Sequence, residues 1–162
     1  MTTSISFYRI ATDTAKYHAE DLSGIGAKRE GGRWNSPGVA LCYTSTTRAL
    51  AALETLVHLT PGPPLPLNRI LVEITVPVDV WDAREIVDPS DPSHVGWNVS
   101  PPGLVSLNWG DTWVTENRSC LAVVPSVVVP EEQNVLINAA HRDAVSVVAT
   151  KVRVWTYDPR LA

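Results

Sequence analysis

Four apolar residues at every second position, Ile70, Val72, Ile74 and Val76, constrain this chain most strongly. A two-residue period puts all four on one side of an extended strand, and such a row must be covered by a second layer. Similar runs recur along the sequence. Residues 4–10 alternate Ile5, Phe7 and, less cleanly, Ile10 against polar neighbours. Residues 39–43, 121–124, 127–129, 135–138 and 145–155 are further strand-like runs, the last interrupted at Thr150-Lys151. Three stretches read as helix: residues 17–22 behind an Asp13 cap and ended by Gly24, residues 49–58, and a short helix within 104–117. Residues 24–38 read as a glycine-rich loop and residues 79–103 as a long surface excursion rich in Pro, Asp and Ser. Helices do not alternate with strands as a parallel βαβ fold requires. The expectation is an α+β fold, a single compact β-rich domain over residues 1–162 with a few packed helices.

The helix at 49–58 follows an apolar run that ends on Tyr43, and Thr44 to Thr47 offer it several N-caps. Pro61-Gly62-Pro63-Pro64 ends it. At 3.6 residues per turn, Leu50, Leu53 and Val57 share a face, and Glu54 falls at the edge of that stripe. A carboxylate there either snorkels to water or sits in a cleft, where it must be paired or hydrogen-bonded. Arg33 and Arg9 are the expected partners. Gly31-Gly32 bring a close-approach backbone directly before Arg33 and Trp34.

Charge and spacing exclude several classes. The chain has 162 residues, a net charge of −4 and no Lys/Arg run, so binding of nucleic acid or an anionic membrane by bulk charge is not expected. No apolar run is long enough to cross a bilayer. Cys42 and Cys120 have no metal or redox spacing and read as reduced thiols of a cytoplasmic protein. His18, His58, His94 and His141 are scattered, so no metal is expected. Gly24-Ile25-Gly26 lacks the third glycine and the strand–loop–helix context of a dinucleotide fingerprint. Ser126, His141 and Asp143 are all the chain offers a serine hydrolase, with no nucleophile elbow.

A set of arginines, a tyrosine, a glutamate and a serine remains. Arginine forks suit phosphate oxygens, a tyrosine face suits a flat cationic heterocycle, and a carboxylate suits ribose hydroxyls and positive charge growing at an anomeric carbon. NAD is compatible with every one of these groups.

The order of several motifs resembles the RES-domain family. They are Tyr8-Arg9-Ile10, Leu22-Ser23-Gly24, Gly31-Gly32-Arg33-Trp34-Asn35, Tyr43-Thr44-Ser45, and Ala52-Leu53-Glu54 with Val57-His58. Gly110-Asp111 with Trp113, Val124-Pro125-Ser126, and Asn134 to Asn138 with His141 continue the likeness. Asn138-Ala139-Ala140-His141 departs from it, since many members carry Asn-Pro before the histidine. The resemblance implies a bacterial toxin of a type II toxin–antitoxin system, with a fold similar to ADP-ribosyltransferase toxins. It implies NAD as substrate, consumed by hydrolysis, phosphorolysis or transfer of ADP-ribose to a protein, with no other cofactor; the rival expectation is a non-catalytic partner-binding module on the same fold. It also implies an Xre-type antitoxin that covers the NAD pocket. By that likeness Arg9 and Arg33 bind the phosphates or adjoining ribose, and Tyr43 stacks on nicotinamide. Glu54 grips the nicotinamide ribose and stabilises the transition state, and Ser126 bonds the ligand or orients Glu54. Trp34, Trp109 and Trp113 are expected to be packing, and Arg29 a solvated loop charge.

Overall fold

The computed structural model describes residues 3–59 and 64–161. Its elements in chain order are β1 (Ser4–Thr12), α1 (Ile25–Glu30), β2 (Cys42–Ser45), α2 (Arg48–Leu56), β3 (Arg69–Pro77), α3 (Val78–Asp82), β4 (Glu85–Ile86), α4 (Leu104–Thr115), β5 (Leu121–Pro125), β6 (Gln133–Ile137) and β7 (Val148–Trp155). The strands form one sheet in the order β4-β5-β6-β2-β1-β3-β7. Every pairing is antiparallel except β4 with β5. The α+β expectation holds.

The period-two pattern assigns the two faces of the sheet. Phe7, Val72, Ile74, Val76, Leu121, Val123, Val135 and Ile137 are buried on one face, under Val80 of α3 and Ala19. On the other face Ala51 and Ala52 of α2 pack on Ile10 and Leu71. Trp113 of α4, with Trp34 and Trp97, covers Ala122, Val124 and Leu136. Tyr8, Tyr43, Ser45 and Asn134 fall on this second face by the same alternation. Tyr8 is the register partner of Ser45, and Ser45 of Asn134.

Several expectations need correction. Residues 13–24 form no helix, because their short polar side chains bond the local backbone instead: Asp13 Oδ1 accepts the Ala19 N–H at 3.0 Å and Thr14 Oγ1 that of Tyr17 at 3.0 Å. The helix lies further on, as α1, where a loop was expected. The buried face of α2 is Leu50, Ala51 and Ala52, while Leu53 and Val57 are exposed. Alanines win because their small side chains let the helix approach the sheet. Residues 127–129 are not a strand, since the N–H groups of Val128 and Val129 bond the Ser126 hydroxyl. Residues 79–103 contain α3, β4 and the buried Val87 and Trp97, so the excursion is partly core. The strand read from residue 145 starts at Val148, after a 3₁₀ turn over Arg142–Ser146, and Val152 is skipped between the Leu71–Arg153 and Val72–Lys151 pairs. Residues 61–63 of the helix stop lie outside the described residues; α2 itself ends at Leu56.

Four tryptophans link α4 to the loop before β2. Trp97 stacks on Trp34 at 6.3 Å between ring centroids, Trp34 meets Trp109 edge-on at 5.8 Å, and Trp109 stacks on Trp113 at 6.1 Å. Gly110 lets this happen: a Cβ there would overlap the Trp34 carbonyl oxygen. Asp111 takes the backbone N–H and the hydroxyl of Ser36, and so ties the same loop to α4. Gly110→Ala should therefore destabilise the protein by about 1–3 kcal/mol or more, the cost of overpacking a closed contact. Urea unfolding measures it, and an unchanged midpoint would contradict the contact.

Candidate active site

A cleft of about 920 Å³ opens beside β1, β2 and α2, at the upper end of the range for small-molecule sites. Tyr8, Arg9, Tyr43, Ser45, Glu54 and Asn134 are among the residues that line it. Its outer wall comes from residues 16–30, including Tyr17 and Arg29.

Thr47 starts the helix that carries Glu54; its side chain accepts the Leu50 N–H at 3.1 Å. Two turns on, Glu54 is half-buried and faces the ends of β5 and β6. Its Oε1 accepts from Ser126 Oγ at 2.7 Å and from Asn134 Nδ2 at 2.6 Å. Oε2 takes no protein hydrogen bond among the described residues and is not sealed from solvent. No arginine lies within ion-pair distance of Glu54 among the described residues. The expected Arg33 and Arg9 pairing is thus replaced by two neutral donors.

Ser126 is fully buried. It gives its proton to Glu54 and takes the N–H groups of Val128 and Val129, each at 3.1 Å. All its hydrogen-bonding capacity is spent on these three contacts. His141 lies elsewhere, on a separate cavity of about 410 Å³, with Nδ1 accepting the Asp143 N–H at 3.1 Å. The Ser126–His141–Asp143 triad is therefore not assembled.

Tyr43 lines the cleft and is anchored at its far end. Its hydroxyl donates to Asn35 Oδ1 at 2.7 Å and accepts the Trp34 N–H at 3.0 Å. Burial pushes its phenol well above the usual tyrosine range, so it stays neutral. Gly32 permits this anchoring, because a Cβ there would come within 2.5 Å of the Tyr43 hydroxyl oxygen.

Arg33 follows in the same loop. Its Nη1 donates to the carbonyls of Trp97 at 3.1 Å and Val99 at 2.8 Å. Desolvation draws its guanidinium down, while the Glu54 charge opposes that, so the two groups feel each other without touching. Arg9 leaves β1 on the face of Phe7 and Ala11, opposite Tyr8. Its Nη1 donates to the Asp21 carbonyl and to Cys42 Sγ, both at 2.9 Å. It borders the cleft but not the Glu54 network. Arg29 sits on α1, exposed, and bonds the Tyr17 hydroxyl at 3.0 Å. Cys42 and Cys120 are free and buried.

The residues that sequence reasoning passed over are Asn134, Ser45 and Asn35. Asn134 had a signal of its own: asparagine is depleted in strands, and here it opens an apolar run. Among the described residues no group of three His, Cys, Asp or Glu side chains could hold a metal ion. No helix there is long and apolar enough to cross a membrane.

Comparison with known proteins agrees with this architecture. The sequence model of the RES domain matches residues 6–159. A protein named "Prs ADP-ribosylating toxin" from Sphingobium sp. (strain YBL2) is 55% identical over 161 residues, covering 99% of this chain and 98% of that one. A "Toxin Res" from Photorhabdus laumondii is 34% identical over 151 residues, covering 91% of this chain and 92% of that protein. Among solved structures, the crystal structure of the M. tuberculosis MbcT–MbcA toxin–antitoxin complex contains a chain that superposes with a TM-score of 0.62. That likeness covers 93% of this chain and 85% of the other at 16% identity, and it concerns the fold. With the domain matched almost from end to end and a relative sharing more than half its residues, the chain belongs to the RES-domain family.

Proposed function

We propose that this protein is a toxin that cleaves the bond between nicotinamide and ribose in NAD, with Glu54 as the catalytic carboxylate. One observation carries the reading: a half-buried carboxylate on the cleft, held through one oxygen by neutral donors and open at the other. As the glycosidic bond breaks, electrons leave with nicotinamide and positive charge grows on the anomeric carbon. An ionised Oε2 facing that carbon stabilises the transition state more than the ground state, which is what lowers a barrier. Tyr43, neutral and fixed at its hydroxyl, offers its ring to the cationic nicotinamide. Arg33 has guanidinium nitrogens beyond Nη1 for the phosphates or the adjoining ribose. Ser126 acts through Glu54, and Arg9 serves the diphosphate from the rim. The reaction needs no metal and no cofactor other than NAD as substrate.

The fate of the ADP-ribose separates two outcomes. Water or phosphate as acceptor would deplete cellular NAD and arrest growth. The relative at 55% identity is named for ADP-ribosylation of Prs, and that name favours a protein acceptor. The toxin–antitoxin neighbour supports a cognate antitoxin, of Xre type by the family likeness, that covers the cleft. This toxin would work in the cytoplasm, where NAD and such an antitoxin are found.

Incubating purified protein with NAD and following nicotinamide release tests the reading. Glu54→Gln keeps volume and loses charge, so NAD binding should persist while single-turnover release falls about 10²-fold or more, roughly 2.7 kcal/mol. Near-normal turnover by a folded Glu54→Gln protein would remove Glu54 from the mechanism.

The two loop arginines give a second prediction. Arg33→Ala should weaken NAD binding by about 1.5–3 kcal/mol, the worth of charge-assisted contacts to phosphate. Arg29→Ala should have less effect, because Arg29 is exposed on the outer wall, whereas Arg33 is near enough to Glu54 to feel its charge. Calorimetry on both variants decides it, and equal small losses would refute the role of Arg33.

A further inference from the structure

Asn134 is the unassigned polar residue closest to the chemistry. It sits on β6 between β2 and β5, paired in register with Ser45 on one side and Val124 on the other. Its side chain bridges two groups: Nδ2 donates to Glu54 Oε1 at 2.6 Å, and Oδ1 accepts from Ser45 Oγ at 2.7 Å. The amide orientation is forced. Turned over, the amide would set its own oxygen against the carboxylate oxygen of Glu54.

We propose that Asn134, braced by Ser45, is a positioning residue that fixes the rotation of the Glu54 carboxylate and so presents Oε2 to the ligand. The proposal rests on the reading of Glu54 given above and deepens it. The argument is one of degrees of freedom. Ser126 alone would hold Oε1 as a single hinge, about which the carboxylate could turn. A second donor on the same oxygen, from the neighbouring strand, removes that turn. Ser45 in turn stops the Asn134 amide from rotating. Both donors are neutral, so the carboxylate keeps its full charge for the ligand, whereas an arginine at Oε1 would cancel it. The carboxylate is thus fixed by a strand (Asn134), a strand end (Ser126) and its own helix, and none of the three contacts lies on a mobile linker.

A double-mutant cycle on Asn134→Ala and Glu54→Gln tests this, read by NAD affinity, single-turnover nicotinamide release and melting temperature. Asn134→Ala should lower turnover about 10- to 100-fold, the worth of one hydrogen bond to a charged group, with NAD affinity within about threefold. In the Glu54→Gln background the same substitution should change turnover little, since the group it serves is already gone. A structural role would lower the melting temperature in both backgrounds and leave the turnover of the folded fraction intact, and that result overturns the proposal. Additive losses overturn it too. Ser45→Ala is the milder second variant should Asn134→Ala fold poorly. It should reduce turnover in the same direction by less, and no reduction would count against the brace. A crystal structure of Asn134→Ala gives a readout independent of activity. The Glu54 carboxylate should be rotated or split between two orientations, and an unchanged carboxylate refutes the proposal. Absence of nicotinamide release by the unaltered protein would instead sink the reading of the function, while the crystallographic arm still judges Asn134.

Discussion

A half-buried carboxylate without a cation is the constraint around which the site in this structure is arranged. Burying a charge beside a helix costs several kcal/mol unless hydrogen bonds replace water. Here Ser126, just past the end of β5, and Asn134 of β6 supply them. That requirement joins the end of β5 and the start of β6 at one carboxylate. It also accounts for the turn at residues 126–129. Its backbone N–H groups close on the Ser126 hydroxyl and force that proton toward Glu54. Local geometry that looks like a simple loop is therefore dictated by a charge on a distant helix.

The loop that anchors the Tyr43 hydroxyl is built on packing. The Trp97–Trp34–Trp109–Trp113 series runs from the excursion through the arginine loop into α4. Gly110 and Gly32 are two places where this packing needs the absence of a side chain. One accepts a carbonyl of the loop, the other the hydroxyl of Tyr43. Hydrogen bonds hold Glu54 and close packing holds the loop behind Tyr43, and both are seated on the same face of the sheet.

The sequence made the scaffold legible wherever period two or period 3.6 was clean. β3 was readable for that reason, and the Thr47-capped α2 nearly so, although its buried face was misassigned. Alanine gives a weak hydrophobic signal, yet Ala51 and Ala52 pack on the sheet beside Leu50, so Leu53 and Val57 drew the stripe to the wrong side. Residues 13–24 misled because Asp and Thr look like helix caps whether a helix or only a turn follows. At the site, Glu54 stood out as a charge beside an apolar face, but its partners did not. An arginine is the obvious neighbour of a glutamate, and nothing in one dimension reveals that β6 will deliver an asparagine. Arg9 was misplaced only as a partner of Glu54: it leaves β1 on the face opposite Tyr8 and α2, although it still borders the cleft.

The grip of Arg33 on residues 97 and 99 uses only main-chain oxygens. Those acceptors exist whatever side chains the positions carry. Asn98 and Val99 are consequently free to drift over evolutionary time without loosening the arginine, provided the chain keeps its course. Trp97 is not, because its ring also belongs to the stack. In this part of the molecule heredity can rewrite the lettering while the path through space stays under selection. Two relatives could share the same arginine clamp and have little else in common along the excursion that forms it.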